Sequence, residues 1–115
     1  MKYFLIVLLL AGTALGVLAN RARGVEPNAA GARSAAETFA RSCASCHGKD
    51  GRAKTFKAKL NHARNLTDAD WQDKASDERI FNSITNGKGK MPSFAKKLSE
   101  TEVNALVNYV RGLKK

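Results

Sequence analysis

The distribution of apolar residues divides the chain into three parts. From Tyr3 to Ala19 nearly every position is apolar, residues 20–33 show no apolar period, and from Ser34 onward apolar residues recur at helical spacing. Ala36, Phe39, Ala40 and Cys43 fall at i, i+3, i+4 and i+7, which predicts a first helix with one inward face. Ser34-Ala-Ala-Glu37 ahead of them has the form of a capping box, a start that contributes about 1 kcal/mol. Thr67-Asp-Ala-Asp70 is a further N-cap signal leading into a short turn of helix around Trp71. Ser76 or Asp77 opens the next helix, whose Ile80, Phe81 and Ile84 share a face and whose end is marked by Asn86-Gly87. The clearest stripe follows a second capping box, Ser99-Glu-Thr-Glu102: Val103, Leu106, Val107 and Val110 repeat at i, i+3, i+4 and i+7, and Leu113 extends them. No stretch alternates with period two and no internal repeat is found, so the predicted fold is all-α, a small helical bundle. Gly48 to Leu66 and Lys88 to Phe94 read as two long loops, which suit a small domain when they wrap a ligand.

The first part has the form of an export signal. Met1-Lys2, the apolar run and a basic exit at Asn20, Arg21 and Arg23 predict a signal peptide over residues 1–19, cleaved after Val17-Leu18-Ala19, with Ala14-Leu15-Gly16 as a second possible site. Residues 20–33 then form a flexible leader and 34–115 the folded domain. The alternative for 1–19 is an uncleaved membrane anchor. Gly12, Thr13 and Gly16 dilute it, and arginines at 21, 23 and 33 against the single Lys2 have the wrong polarity for a cytoplasmic N-terminus. A periplasmic or secreted protein is therefore expected, with a membrane-anchored domain outside the cytoplasm as the alternative. Beyond Ala19 the 96 remaining residues carry 19 Lys or Arg against 10 Asp or Glu, a formal charge of +9. A domain of this size buries only about 60–70% of its unfolded surface, so its own core is marginal and a buried prosthetic group would complete it.

Both cysteines of the chain lie in one run, Cys43-Ala44-Ser45-Cys46-His47. Two thiols one helical turn apart can each add to a haem vinyl group, and the adjacent histidine then falls under the iron as proximal axial ligand. The pattern therefore predicts one covalently bound haem c, with Cys43 and Cys46 as its thioethers and His47 on the metal. A thioredoxin-like pair would open a helix after a buried strand, and no strand-like run precedes this one. A zinc site needs a second ligand pair, and the other histidine, His62, has no partner beside it. For the sixth iron position the mature chain holds a single methionine, Met91, before Pro92. Proline keeps the preceding residue out of the α region, which helps to hold the Met91 thioether off a helix. His62 is the rival distal ligand, and an open sixth position the third arrangement.

From Ser34 onward the sequence resembles the class I c-type cytochromes, small mono-haem electron carriers. The residues that carry the likeness are the motif near the start of the domain, Phe39 four positions before it, Met91-Pro92 placed 44 residues past His47, and Leu106-Val-Asn-Tyr109-Val110 in the last helix. The resemblance implies a cytochrome c-like bundle around one covalent haem, with first and last helices crossing near Ala35. It also implies electron transfer by iron cycling between Fe(II) and Fe(III) under His47/Met91 ligation, without enzymatic turnover. Ala63-Arg64-Asn65-Leu66 is similar to the family's Gly-Pro-Asn-Leu, whose proline carbonyl accepts the second N–H of the proximal histidine. Arg64 stands at that proline's place. Trp71 and Tyr109 are expected to pack, with haem edge or propionate contact as the other role.

Two rival functions remain: a haem enzyme or gas binder with an open or displaceable sixth ligand, and a dedicated cytochrome subunit of a larger dehydrogenase or oxidase. Between Lys49 and Lys97 lie twelve basic and six acidic residues, crowding the proposed haem loops at Lys49, Arg52, Lys54, Lys57 and Lys59, then at Lys88, Lys90, Lys96 and Lys97. Larger redox proteins with an acidic docking face, or an anionic membrane surface, fit this charge. Nucleic acid does not, because an exported chain without an interleaved aromatic platform lacks the means to bind it. A monomer is expected.

Overall fold

The structure, a computed structural model, describes residues 33–115. The expected signal peptide, residues 1–19, and the leader up to residue 32 lie outside the described residues. Six helices follow one another: α1 (Ala35–Ser42), α2 (Ala44–His47), α3 (Phe56–Asn61), α4 (Ala69–Lys74), α5 (Asp77–Asn86) and α6 (Glu100–Arg111). Among the described residues the extended pairing is limited to one isolated bridge, Lys88 with Met91, so the fold is all-α as predicted.

Both capping boxes form. Ser34 Oγ accepts from the Glu37 N–H at 3.2 Å while Glu37 Oε2 accepts from the Ser34 N–H at 3.0 Å; Ser99 and Glu102 repeat the exchange at 3.2 and 2.8 Å. The backbone and hydroxyl donors of each serine hold the paired carboxyl below the ordinary glutamate range. In α6, Val103, Leu106, Val107 and Val110 are all buried, and α5 adds Ile80 and Ile84 to the same core. Phe39 of α1 completes it, with its ring centroid 5.0 Å from that of Tyr109. Ala35 is partly buried against this cluster.

Four local readings change. In α1 the buried residues are Thr38 and Phe39, whereas Ala36 and Ala40 are exposed, because a methyl group is too small to set a helix's rotation and the Phe39–Tyr109 contact sets it instead. Cys43, expected on the stripe of the first helix, lies just past its end. The chain breaks at Cys43, with φ −118° and ψ −38°, and Ala44–His47 form a separate single turn. α4 is capped by Asp68, whose Oδ1 accepts from the Trp71 N–H at 2.9 Å, while Thr67 is buried and donates its hydroxyl to Asn65 Oδ1 at 2.8 Å. Finally, the expected loop Gly48 to Leu66 contains α3, begun by Thr55, whose Oγ1 accepts from the Ala58 N–H at 2.9 Å.

The C-terminal end of α6 is fastened to α4. Buried Gln72 donates through Nε2 to the Leu66 and Val110 carbonyls at 2.8 and 2.7 Å. Arg111 then donates Nη1 to both Gln72 oxygens, Nη2 to the Ala75 carbonyl and Nε to Asp77 at 2.7 Å. One guanidinium so satisfies the open carbonyl end of α4 and the start of α5, which fixes the helices behind the crevice described next.

Candidate haem crevice

A cavity of about 270 Å³ opens between the motif and the second loop. Cys43, Cys46 and His47 line one side of it, and Met91, Pro92 and Phe94 belong to the loop that lines it too. Phe39, Leu106 and Val110 bring the apolar core to its wall. The structure therefore gathers every residue expected to attach or ligate haem into one space, although the motif and Met91 are far apart in sequence. His62, the rival ligand, also lines the cavity, as does Trp71. Tyr109 packs on Phe39 in the core.

His47 is held by its neighbours on both sides. Gly48 turns the chain at φ +81°, a conformation L side chains rarely adopt, and the Ala53 N–H comes back to the His47 carbonyl at 2.7 Å. The His47 ring places Nδ1 2.9 Å from the Arg64 carbonyl. As an N–H donor there, Nδ1 leaves Nε2 with the free lone pair, which is the nitrogen a metal needs. Replacing the familiar proline by Arg64 thus preserves the bond, since the acceptor is a main-chain oxygen. The Leu66 N–H to Gly51 carbonyl bond, 2.7 Å, closes the loop that carries it.

Met91 is placed by the end of α5. Its N–H and C=O pair with Lys88 at 3.0 Å each, the Phe94 N–H donates to Ile84 O at 3.0 Å, and Ser93 Oγ donates to Thr85 O at 2.6 Å. The loop lies so close to Gly87, at φ +78°, that a Cβ there would stand 2.6 Å from the Met91 carbonyl oxygen and 2.9 Å from backbone atoms of Pro92 and Ser93. Gly87→Ala is therefore expected to push the Met91 turn outward and to cost about 2 kcal/mol or more. Chemical denaturation should show the loss of stability. If Met91 ligates the iron, the oxidised holoprotein should also lose intensity in a weak sulfur-to-iron absorption, and unaltered stability would mean that the turn does not depend on Gly87.

The residues present fit haem c. The walls are mainly apolar, two thiols and an imidazole line one space with a thioether, and no Asp or Glu among the described residues lines it. Arg64, Arg79, Lys88 and Lys90 do, giving the two carboxylates of a haem cationic neighbours. No disulfide joins Cys43 to Cys46. Burial, with the adjacent Cys46 thiol adding to it, pushes Cys43 up to about 11. A redox-active Cys-x-x-C pair is tuned in the opposite direction, toward thiolate, so the Cys43 environment speaks against the thioredoxin-like alternative.

Two features of the site were missed in the sequence. α3 is one, and Thr55 before Phe56 was its available signal. The other is a brace in which Lys90 Nζ donates to the Leu60 carbonyl at 2.9 Å, tying the Met91 loop to the end of α3. No sequence pattern announces a contact across thirty residues.

Comparison with known proteins agrees with this geometry. Residues 30–110 match the family described as cytochrome c oxidase, cbb3-type, subunit III. The cbb3-type oxidase subunit FixP of Azorhizobium caulinodans is 39% identical over 83 residues, covering 71% of this chain but 27% of that subunit, so the chain spans about a quarter of its length. Cytochrome c6 of Picosynechococcus sp. is 35% identical over 108 residues, covering 88% of this chain and 90% of that protein. Among solved structures, the KustC0563 c-type cytochrome superposes with a TM-score of 0.66 at 42% identity, covering 72% of this chain and all of that one. On the match of sequence, fold and crevice together, the chain belongs to this cbb3-type subunit III family of c-type cytochrome domains, in which haem c and its iron are bound covalently to the polypeptide.

Proposed function

We propose that the chain transfers single electrons, with Cys43 and Cys46 as the two haem thioethers, His47 as the proximal iron ligand and Met91 as the distal one. The observation that carries this reading is the convergence of these four side chains on one crevice, with His47 oriented by the Arg64 carbonyl. Bound haem supplies the one-electron couple of its iron. The protein's own part is to hold both ligands in place, exclude water with an apolar wall and leave the charge change to a fixed environment. The carboxylates of the described residues serve the fold. None of them lines the crevice; Glu37, Asp68 and Glu102 cap helices, and Asp73 and Asp77 pair with Lys114 and Arg111.

In this reading residues 1–19 are an export signal, 20–33 a leader and 34–115 the haem domain, working outside the cytoplasm as a monomer. Among the described residues no helix is long and apolar enough to cross a membrane. Larger redox proteins with acidic faces are the proposed partners. The oxidase-subunit relatives raise a second assignment of the same chemistry, as the haem domain of an oxidase assembly, whereas the cytochrome c6 relatives match the separate carrier.

A visible spectrum with pyridine haemochrome analysis, followed by acid-acetone extraction, tests the central claim. A c-type reduced spectrum and haem that stays with the chain are expected. Extractable haem, or none in protein made with a competent maturation system, would sink it. Co-purification with an oxidase would select the subunit assignment.

A further inference from the structure

α3 carries the two exposed large apolar side chains of the described residues. Phe56 is 76% exposed and Leu60 56%. They stand four residues apart, so on a helix of 3.6 residues per turn they share one face. Ala58 points the opposite way and is 2% exposed, which anchors α3 to the molecule through its other side. Lys57 and Lys59 fall roughly 80° to either side of the Phe56/Leu60 line, and both are exposed. Between residues 51 and 67 there are five Lys or Arg and no Asp or Glu, so no internal carboxylate from this stretch neutralises the face.

The helix is also fastened to both sides of the crevice. At its start, Thr55 Oγ1 donates to the Ser45 and Cys46 carbonyls at 3.2 and 3.1 Å, within the motif. At its end, Lys90 holds the Leu60 carbonyl, and the next residues, Asn61 and His62, line the cavity. Two large apolar side chains exposed together on one helix face, beside the crevice and flanked by lysines, mark a candidate contact surface.

We propose that the outer face of α3 is the docking contact for an acidic one-electron redox protein. Phe56 and Leu60 enter an apolar centre on the partner, and Lys57 and Lys59 meet carboxylates on either side of it. The inference rests on the electron-transfer reading and adds to it which surface the partner touches. One electron passes between the haem iron and the partner's redox centre, and no bond forms or breaks. Charge complementarity selects the acidic partner. A lipid surface is disfavoured because interfacial helices present a wide apolar stripe over several turns, whereas α3 offers two side chains on six residues.

The test follows oxidation of the reduced holoprotein by detergent-solubilised respiratory membranes of the cells that make it. Phe56→Gln and Leu60→Gln keep a good helix former and the net charge. Each is expected to raise KM about tenfold, the usual effect of losing an apolar anchor at the centre of an interface, with little change in kcat. Spectrum and midpoint potential should stay as in the unsubstituted protein, and Phe56→Leu should restore most of the affinity. The Lys57→Glu, Lys59→Glu pair should also raise KM and flatten its dependence on salt. Unchanged KM in both glutamine variants overturns the docking proposal while leaving electron transfer standing. So does binding of the holoprotein to vesicles of equal parts phosphatidylcholine and phosphatidylglycerol that the glutamine variants lose without any change in KM. Failure of the unsubstituted holoprotein to be oxidised at all would instead remove the carrier reading on which the proposal rests.

Discussion

The Cys43→Ser, Cys46→Ser double variant is expected to accumulate without covalent haem and, made in cells with a working maturation system, to be largely degraded. Serine hydroxyls do not add to haem vinyl groups under these conditions, so both thioethers are lost. His47 keeps its place and its bond to Arg64, but without the two thioethers the haem is held only by axial bonds and packing, which are reversible. The effect on stability follows from the crevice. Without haem, the inner faces of Phe39, Leu106 and Val110 line an open cavity of about 270 Å³. That wall then lacks the dispersion contacts that haem would supply, so the haem-free domain is expected to lose a large part of the ~5–15 kcal/mol that stabilises a small domain. Single variants should each retain one thioether and intermediate stability. The reading is denature-and-extract haem analysis alongside protease resistance. Covalent haem in the double variant would mean that attachment uses other residues.

How much of this could be read in the sequence depends on what kind of interaction fixes each part. Helices whose caps and stripes are local were read best: both ends of α5 and the start of α6, because Ser76, Gly87 and the Ser99–Glu102 exchange act within three or four residues. The chemistry was legible for the same reason: five consecutive residues carry both thiols and the imidazole. α3 was not, since two apolar residues make no period and the helix depends on Thr55 reaching back to the motif and Lys90 reaching across from another loop. The rotation of α1 was misread because Ala36 and Ala40 weigh as apolar in a pattern but bury too little to decide which face turns inward. Tertiary contact with Tyr109 decided it. That Met91 and His47 share a crevice was expected from resemblance and from Met91-Pro92; the reason it happens, the passage of the loop across Gly87, is visible only in three dimensions.

Met91→His is expected to keep covalent haem and lower the midpoint potential by on the order of a hundred millivolts or more, within the ~0.8 V over which axial ligands set haem potentials. A thioether is a soft ligand that favours Fe(II), whereas imidazole donates more strongly and favours Fe(III), so the exchange stabilises the oxidised state. The backbone has no reason to move: the Lys88–Met91 hydrogen bonds involve main-chain atoms alone, and the side chain is the part that changes. The weak sulfur-to-iron absorption at the red end of the oxidised spectrum should vanish. Met91→Ala separates the rivals for the sixth position. If Met91 is the ligand, the alanine variant loses the band and binds carbon monoxide in the ferrous state, unless His62, which shares the cavity, moves in. The Met91→Ala, His62→Ala pair removes that substitute and should bind carbon monoxide fully. A band and a potential untouched by Met91→Ala would show that the methionine lines the crevice without ligating iron, and the His47/Met91 assignment would have to be abandoned.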